Sequence, residues 1–234
     1  MKNLHTKKGP FRERPYYSNQ EIERICEDAL RETNLYPPEP RAVRIERFVE
    51  KRFHITPSYE DLGHGILGLT KFGSHGVQAI IIARFLDDER SVVAERRIRT
   101  TLAHEAGHGL LHAHLFGLGC QEQSLFGDFS DPHSPKVLCR DIPTASTKGL
   151  SSYDGSWWEF QANRAIGALL LPRDLMMTAV DPFLSDPGLL GVRTLDSDRF
   201  DDAVASMSDL FEVNPAVARI RLKEAHPQNA QLLL

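Results

Sequence analysis

The chain has 234 residues, is 41% hydrophobic and 26% charged, and carries a formal net charge of −4. That length supports one sizeable core, or a core with a small helical appendage, and the acidic balance gives no bias toward non-specific phosphate binding. Three cysteines without close pairing make no disulfide framework, and the longest apolar run, 166–171, is far too short to span a bilayer.

Residues 1–17 are polar and basic, with two prolines and no periodicity. They read as a flexible arm, and the lack of an apolar segment behind the basic start predicts a cytoplasmic protein. Ser18 followed by Glu21 is a capping box, and Ile22, Ile25, Cys26, Ala29 and Leu30 recur at helical spacing. The Pro37-Pro38-Glu39-Pro40 cluster ends that helix. A second helix is expected over 43–52, with Ile45, Phe48 and Val49 inward. Two strands, 65–72 and 77–83, flank a hairpin-type connection at Gly73-Ser74-His75-Gly76. The second of them is a candidate sheet edge for pairing with an extended substrate.

A long helix is predicted over 95–114. Beyond it, 115–156 is a polar insertion rich in Gly, Ser, Asp and Pro, with one short strand near 136–140; a connection of that length is usually functional or mobile. Trp157 to Leu171 is an apolar helix closed by Pro172, and a polar link runs to about residue 197. Two helices follow. One carries Phe200, Ala203, Val204, Met207, Leu210 and Phe211. The other opens on Asn214 and Pro215 and carries Val217, Ile220 and Leu222. The predicted class is α+β and helix-dominated: a core over 18–180 with a small antiparallel or mixed sheet, and a C-terminal helical hairpin over 195–226.

The long helix contains Thr101-Leu102-Ala103-His104-Glu105-Ala106-Gly107-His108. Histidines four apart share a helix face, so two imidazoles can converge on one cation, and imidazole nitrogen suits zinc. Glu105 lies about 100° around the helix from His104, placed to reach a water on the metal rather than the metal itself. The alternative is a helix with two surface histidines flanking a glutamate. Against that, Leu102, Ala103, Ala106, Leu110 and Leu111 predict a mostly buried helix, and buried polar groups need partners. Gly107 and Gly109 each cost about 1 kcal/mol inside a helix, so something should approach closely there.

A catalytic zinc needs a third protein ligand. His112 continues the ladder but lies about 12 Å along the axis from His104, too far for one ion. It and His114 read as helix-end histidines. Cys120, His133 and Cys139 match no standard zinc spacing. Glu159, on Trp157-Trp158-Glu159-Phe160-Gln161-Ala162-Asn163, is a costly carboxylate on an apolar helix, either a ligand or a group favoured by the helix N-terminus. Asn163, one turn on, can accept a hydrogen bond from the far nitrogen of a ligand histidine. A helix with HExxH followed by one with E-x-x-x-N is the gluzincin arrangement, and the fold expected with it is a zincin-like metallopeptidase core.

The segments Arg99 to His112 and Trp158 to Asn163, continuing through Ala168-Leu169-Leu170-Leu171-Pro172, resemble the ImmA/IrrE-type metallopeptidases of bacteria and phages. The likeness extends more loosely over 18–222. It implies a zinc endopeptidase with His104, His108 and Glu159 as ligands and Glu105 as base, inactivating a DNA-binding repressor in a stress or mobile-element response. The chain departs from the family pattern at Ala106 (usually Leu), at Gln161 (often Glu, which removes an alternative ligand) and at Ala165-Ile166-Gly167 (usually Phe-Ala-Ala). An oxyanion donor is expected, with Tyr153, His114 and His133 as candidates.

Two other functions compete. The last two helices, with Arg219, Arg221 and Lys223, superficially read as a helix-turn-helix, but Asp198, Asp201, Asp202, Asp209 and Glu212 would repel phosphate. No direct nucleic-acid binding is expected. The remaining possibility is a non-catalytic zinc-binding regulatory or antitoxin-like module.

Overall fold

The computed structural model describes residues 2–5, 13–73, 75–117, 136–141, 157–185 and 193–226. Strands β1 (Lys2–His5) and β2 (Glu13–Tyr16) pair antiparallel at the N-terminal end. The 1–17 segment, expected to lack regular structure, therefore carries a two-stranded ladder. Main-chain pairing requires no side-chain periodicity, so the local pattern did not reveal it.

Helix α1 (Asn19–Glu32) begins at the expected capping box, with both halves present: the Ser18 hydroxyl accepts from the Glu21 N–H at 3.2 Å, and Glu21 accepts from the Ser18 N–H at 2.8 Å. Helix α2 (Ile45–Phe53) buries Ile45, Phe48 and Val49. Three strands follow, β3 (Ser58–Glu60), β4 (Ile66–Gly73) and β5 (Gly76–Ala83). A fourth, β6 (Lys136–Asp141), returns to the same sheet. The strand order is β3-β5-β4-β6. The β3–β5 pair is parallel and the others antiparallel, so the sheet is mixed. Strand β5, expected at an edge, is internal. The short β3 takes the edge beside it, and Ile80 to Ala83 of β5 are buried.

A short helix α3 (Arg84–Asp88) leads into α4 (Val92–Leu111), which starts three residues before the expected position because the Ser91 hydroxyl caps it, accepting from the Ala94 N–H at 3.0 Å. The chain then breaks at His112 before α5 (Ala113–Gly117). Helix α4 runs between the sheet and α6 (Trp157–Leu170), which is why residues 100–109 are buried on every side. The two glycines mark the close approaches. A Cβ on Gly107 would stand 2.7 Å from the Ala165 Cβ, and one on Gly109 would stand 2.6 Å from the Phe53 ring.

Past Pro172 the chain forms α7 (Arg173–Val180), a helix that the expected polar link did not include. The C-terminal pair, α8 (Ser197–Leu210) and α9 (Pro215–Ala225), joins the hydrophobic core of the described residues through Phe200, Val204, Met207, Val217 and Leu222. Arginine clamps fix it in place. Arg96 bonds Ser208 and Asp209, Arg99 reaches the carbonyls of Glu212 and Val43, and buried Arg221 forks onto Glu23 of α1 while donating to the Leu171 carbonyl at 3.0 Å. Arg219 pairs with Asp201 at 2.8 Å. The hairpin is thus bound into the body of the fold, and of Arg219, Arg221 and Lys223 the first two are engaged in ion pairs. Among the described residues no helix is long and apolar enough to cross a membrane.

Candidate metal centre

Helix α4 presents His104 and His108 one turn apart on the face turned to α6, and their Nε2 atoms stand 3.0 Å from each other. Helix α6 brings Glu159 up to both: Oε2 lies 3.1 Å from His104 Nε2 and Oε1 lies 3.4 Å from His108 Nε2. Among the described residues these three form a group able to hold a metal ion, each offering one ligand atom. The imidazoles are buried, while the Glu159 side chain keeps 25% of its exposure, so the centre opens to solvent on the carboxylate side.

The chemistry of this donor set fits zinc. Two imidazole nitrogens and one carboxylate oxygen are borderline ligands. A tetrahedral shell with bonds of about 2.0–2.1 Å puts neighbouring donors about 3.3 Å apart. The three observed separations lie within a few tenths of an ångström of that spacing. Burial alone would push the Glu159 carboxyl up. The His108 ring, with His104, outweighs burial and holds it well below the usual carboxylate range, so the group stays ionised.

Behind these three residues, the expected contact to Asn163 is present. His104 Nδ1 lies 3.1 Å from Asn163 Oδ1, the oxygen accepting and the far nitrogen thereby turned inward as a lone pair. Glu105 stands outside the converging group. Its Oε2 accepts from the Thr70 hydroxyl of β4 at 2.6 Å, and the same hydroxyl reaches the Glu105 carbonyl at 3.3 Å. Thr70 was not anticipated, and its one signal was a hydroxyl that, with Lys71, interrupts a strand otherwise of apolar residues and glycine.

His112 ends α4, as expected, but it is fully buried: its Nδ1 meets His108 Nδ1 at 3.0 Å, and its Nε2 meets Gln161 Oε1 at 3.0 Å. Burial first, then the adjoining His108 ring, keeps its imidazolium well below the ordinary range, so the ring is neutral. Gln161, read only as a lost ligand, is the acceptor that holds it. His114 is half-buried, with its imidazolium lowered by burial, and does not join the group. Tyr153, Cys120 and His133 lie outside the described residues, and Cys139 falls on β6, opposite Leu69 of β4.

Comparison with known proteins finds no family model that matches the chain and no curated protein sequence that matches it.

Proposed function

We propose that this protein is a zinc-dependent endopeptidase with a zincin-like core, in which His104, His108 and Glu159 hold the metal and Glu105 moves the proton. The observation that carries the reading is the convergence of three ligand atoms from α4 and α6, with Glu105 on the adjoining face, gripped by Thr70. Zinc, when bound, supplies Lewis-acid polarisation of the scissile carbonyl and a more acidic water. Glu105 takes the proton of the attacking water and gives it to the leaving amine. The Thr70 hydroxyl fixes the rotation of that carboxylate. Asn163 orients the His104 ring.

The sheet supports an extended substrate segment. Among the described residues β6 pairs with β4 on one side only, and β4 is the strand whose Thr70 touches Glu105. The outer edge of β6, rather than β5, is therefore where a substrate strand would add near the centre. Resemblance of the α4 and α6 segments to ImmA/IrrE-type peptidases supports a DNA-binding, helix-turn-helix repressor as the substrate, in the cytoplasm. This part of the reading rests on analogy.

The test is to incubate zinc-loaded protein with a co-encoded repressor and, in parallel, with a general peptide library. Cleavage by the parent and none by Glu105→Gln is expected, and Glu105→Gln should retain the uncut repressor in a pull-down. If neither repressor nor library is cut, the non-catalytic regulatory or antitoxin-like module takes its place.

A further inference from the structure

Three groups stand in line behind His108. Its Nδ1 meets His112 Nδ1, His112 Nε2 meets Gln161 Oε1, and Gln161 Nε2 donates to the Pro15 carbonyl at 2.9 Å. Gln161 is 3% exposed and His112 is fully buried, so water does not compete for these bonds. The direction of every bond follows from the last one. A carbonyl oxygen can only accept. Gln161 must therefore turn its NH2 toward Pro15, which leaves its oxygen facing His112. That oxygen also only accepts, so the His112 hydrogen sits on Nε2 and its Nδ1 is a lone pair. A neutral His108 must then carry its hydrogen on Nδ1, which leaves its Nε2 as a lone pair aimed at His104 and Glu159.

We infer that His112 and Gln161 are positioning residues, and that the Pro15 carbonyl, acting through them, holds His108 in the tautomer able to bind a metal through Nε2. A free neutral imidazole in water favours the other tautomer, with hydrogen on Nε2, which would block the ligand atom. The relay thus removes a cost that metal binding would otherwise carry. It also ties the metal centre to β2, the strand on which Pro15 lies, so the seating of the N-terminal segment on α6 and the readiness of His108 are one event. A glutamate at 161 in its usual charged form could not donate to that carbonyl. This gives a physical reason for glutamine here. The inference rests on the zinc reading for its purpose but not for its geometry.

The experiment uses the full chain, 15N-labelled and metal-free, at a pH where imidazoles are neutral. The ring nitrogens of His108 and His112 are assigned by through-bond and through-space correlations. The expected pattern is hydrogen on Nδ1 of His108 and on Nε2 of His112. In Gln161→Met, which keeps length but removes both acceptor and donor, both preferences should relax toward the solution mixture. Its zinc affinity, measured by chelator competition, should weaken about 10–100-fold, the scale of losing a partner behind a ligand histidine. A parent spectrum with His108 protonated on Nε2 overturns the inference, and needs no variant to fold. So does a Gln161→Met protein that keeps the parent pattern and binds zinc within about twofold of the parent. If the parent takes up no zinc, the metal reading fails by itself, while the ring spectrum still decides the relay.

Discussion

Two glutamates border the candidate centre, and the proposed reading gives them different work. Glu159 directs one oxygen at each of His104 and His108, at 3.1 and 3.4 Å, whereas Glu105 stands outside that group with an oxygen held by Thr70. Replacing Glu159 by Ala leaves two neutral nitrogens to hold the metal. Zinc affinity should fall by more than the 10–100-fold typical of a lost supporting partner. A 100-fold loss corresponds to about 2.7 kcal/mol at 25 °C. Glu105→Gln keeps the shape and a carbonyl oxygen that can still accept from Thr70, but it cannot take a proton at neutral pH. It should bind zinc within about fivefold of the parent and lose activity by at least about 100-fold, the scale of removing a general base. Metal analysis after dialysis against dilute chelator, with a cleavage assay on the same samples, separates the two effects. Retention of zinc by Glu159→Ala at the parent level would refute the ligand assignment and send the search into 115–156. Loss of zinc by Glu105→Gln would refute the division between base and ligand.

Further outcomes follow from neighbouring contacts. Thr70→Val removes the hydroxyl from Glu105 at nearly constant volume; zinc content should hold while cleavage falls, and an unchanged rate constant would show that Thr70 does not orient the base. Arg221→Met strips the buried fork from Glu23 and the bond to the Leu171 carbonyl, leaving a half-hidden carboxylate unpaired; chemical denaturation should show a loss of about 3–5 kcal/mol, and a change below about 1 kcal/mol would rule out a structural role for the fork. Cys26 is fully buried, and burial, then Glu23, pushes its thiol up; alkylation mapped by mass spectrometry should therefore spare Cys26 at mildly alkaline pH until denaturant unfolds the chain, and labelling of the folded protein would contradict that burial.

Local signals in the sequence determined the units of this protein. The capping box at Ser18 and Glu21, the apolar runs of α4 and α6, and the Asn214-Pro215 start of α9 each act within a turn or two of helix, so they are legible without knowing the fold. The same holds for His104 and His108, since four residues of helix bring two rings onto one face whatever surrounds them. Glu159 and Asn163 were legible in part, because a carboxylate and an amide one turn apart on an apolar helix are expensive without partners. What faces what was decided only in three dimensions. Strand β5 became internal because β3, just ahead of the β4–β5 hairpin, paired with it in parallel, and alternation along one strand carries no information about its neighbours. Helix α7 was missed because it is short: Leu175, Met176 and Val180 are buried by α8 and the core rather than announced by a repeat. Thr70 and, through Gln161 and His112, the Pro15 carbonyl bear on the centre from segments far apart in sequence. Their roles depend on hydrogen-bond geometry, fixed to a few tenths of an ångström by the packing of α4 between the sheet and α6, and local spacing does not contain it.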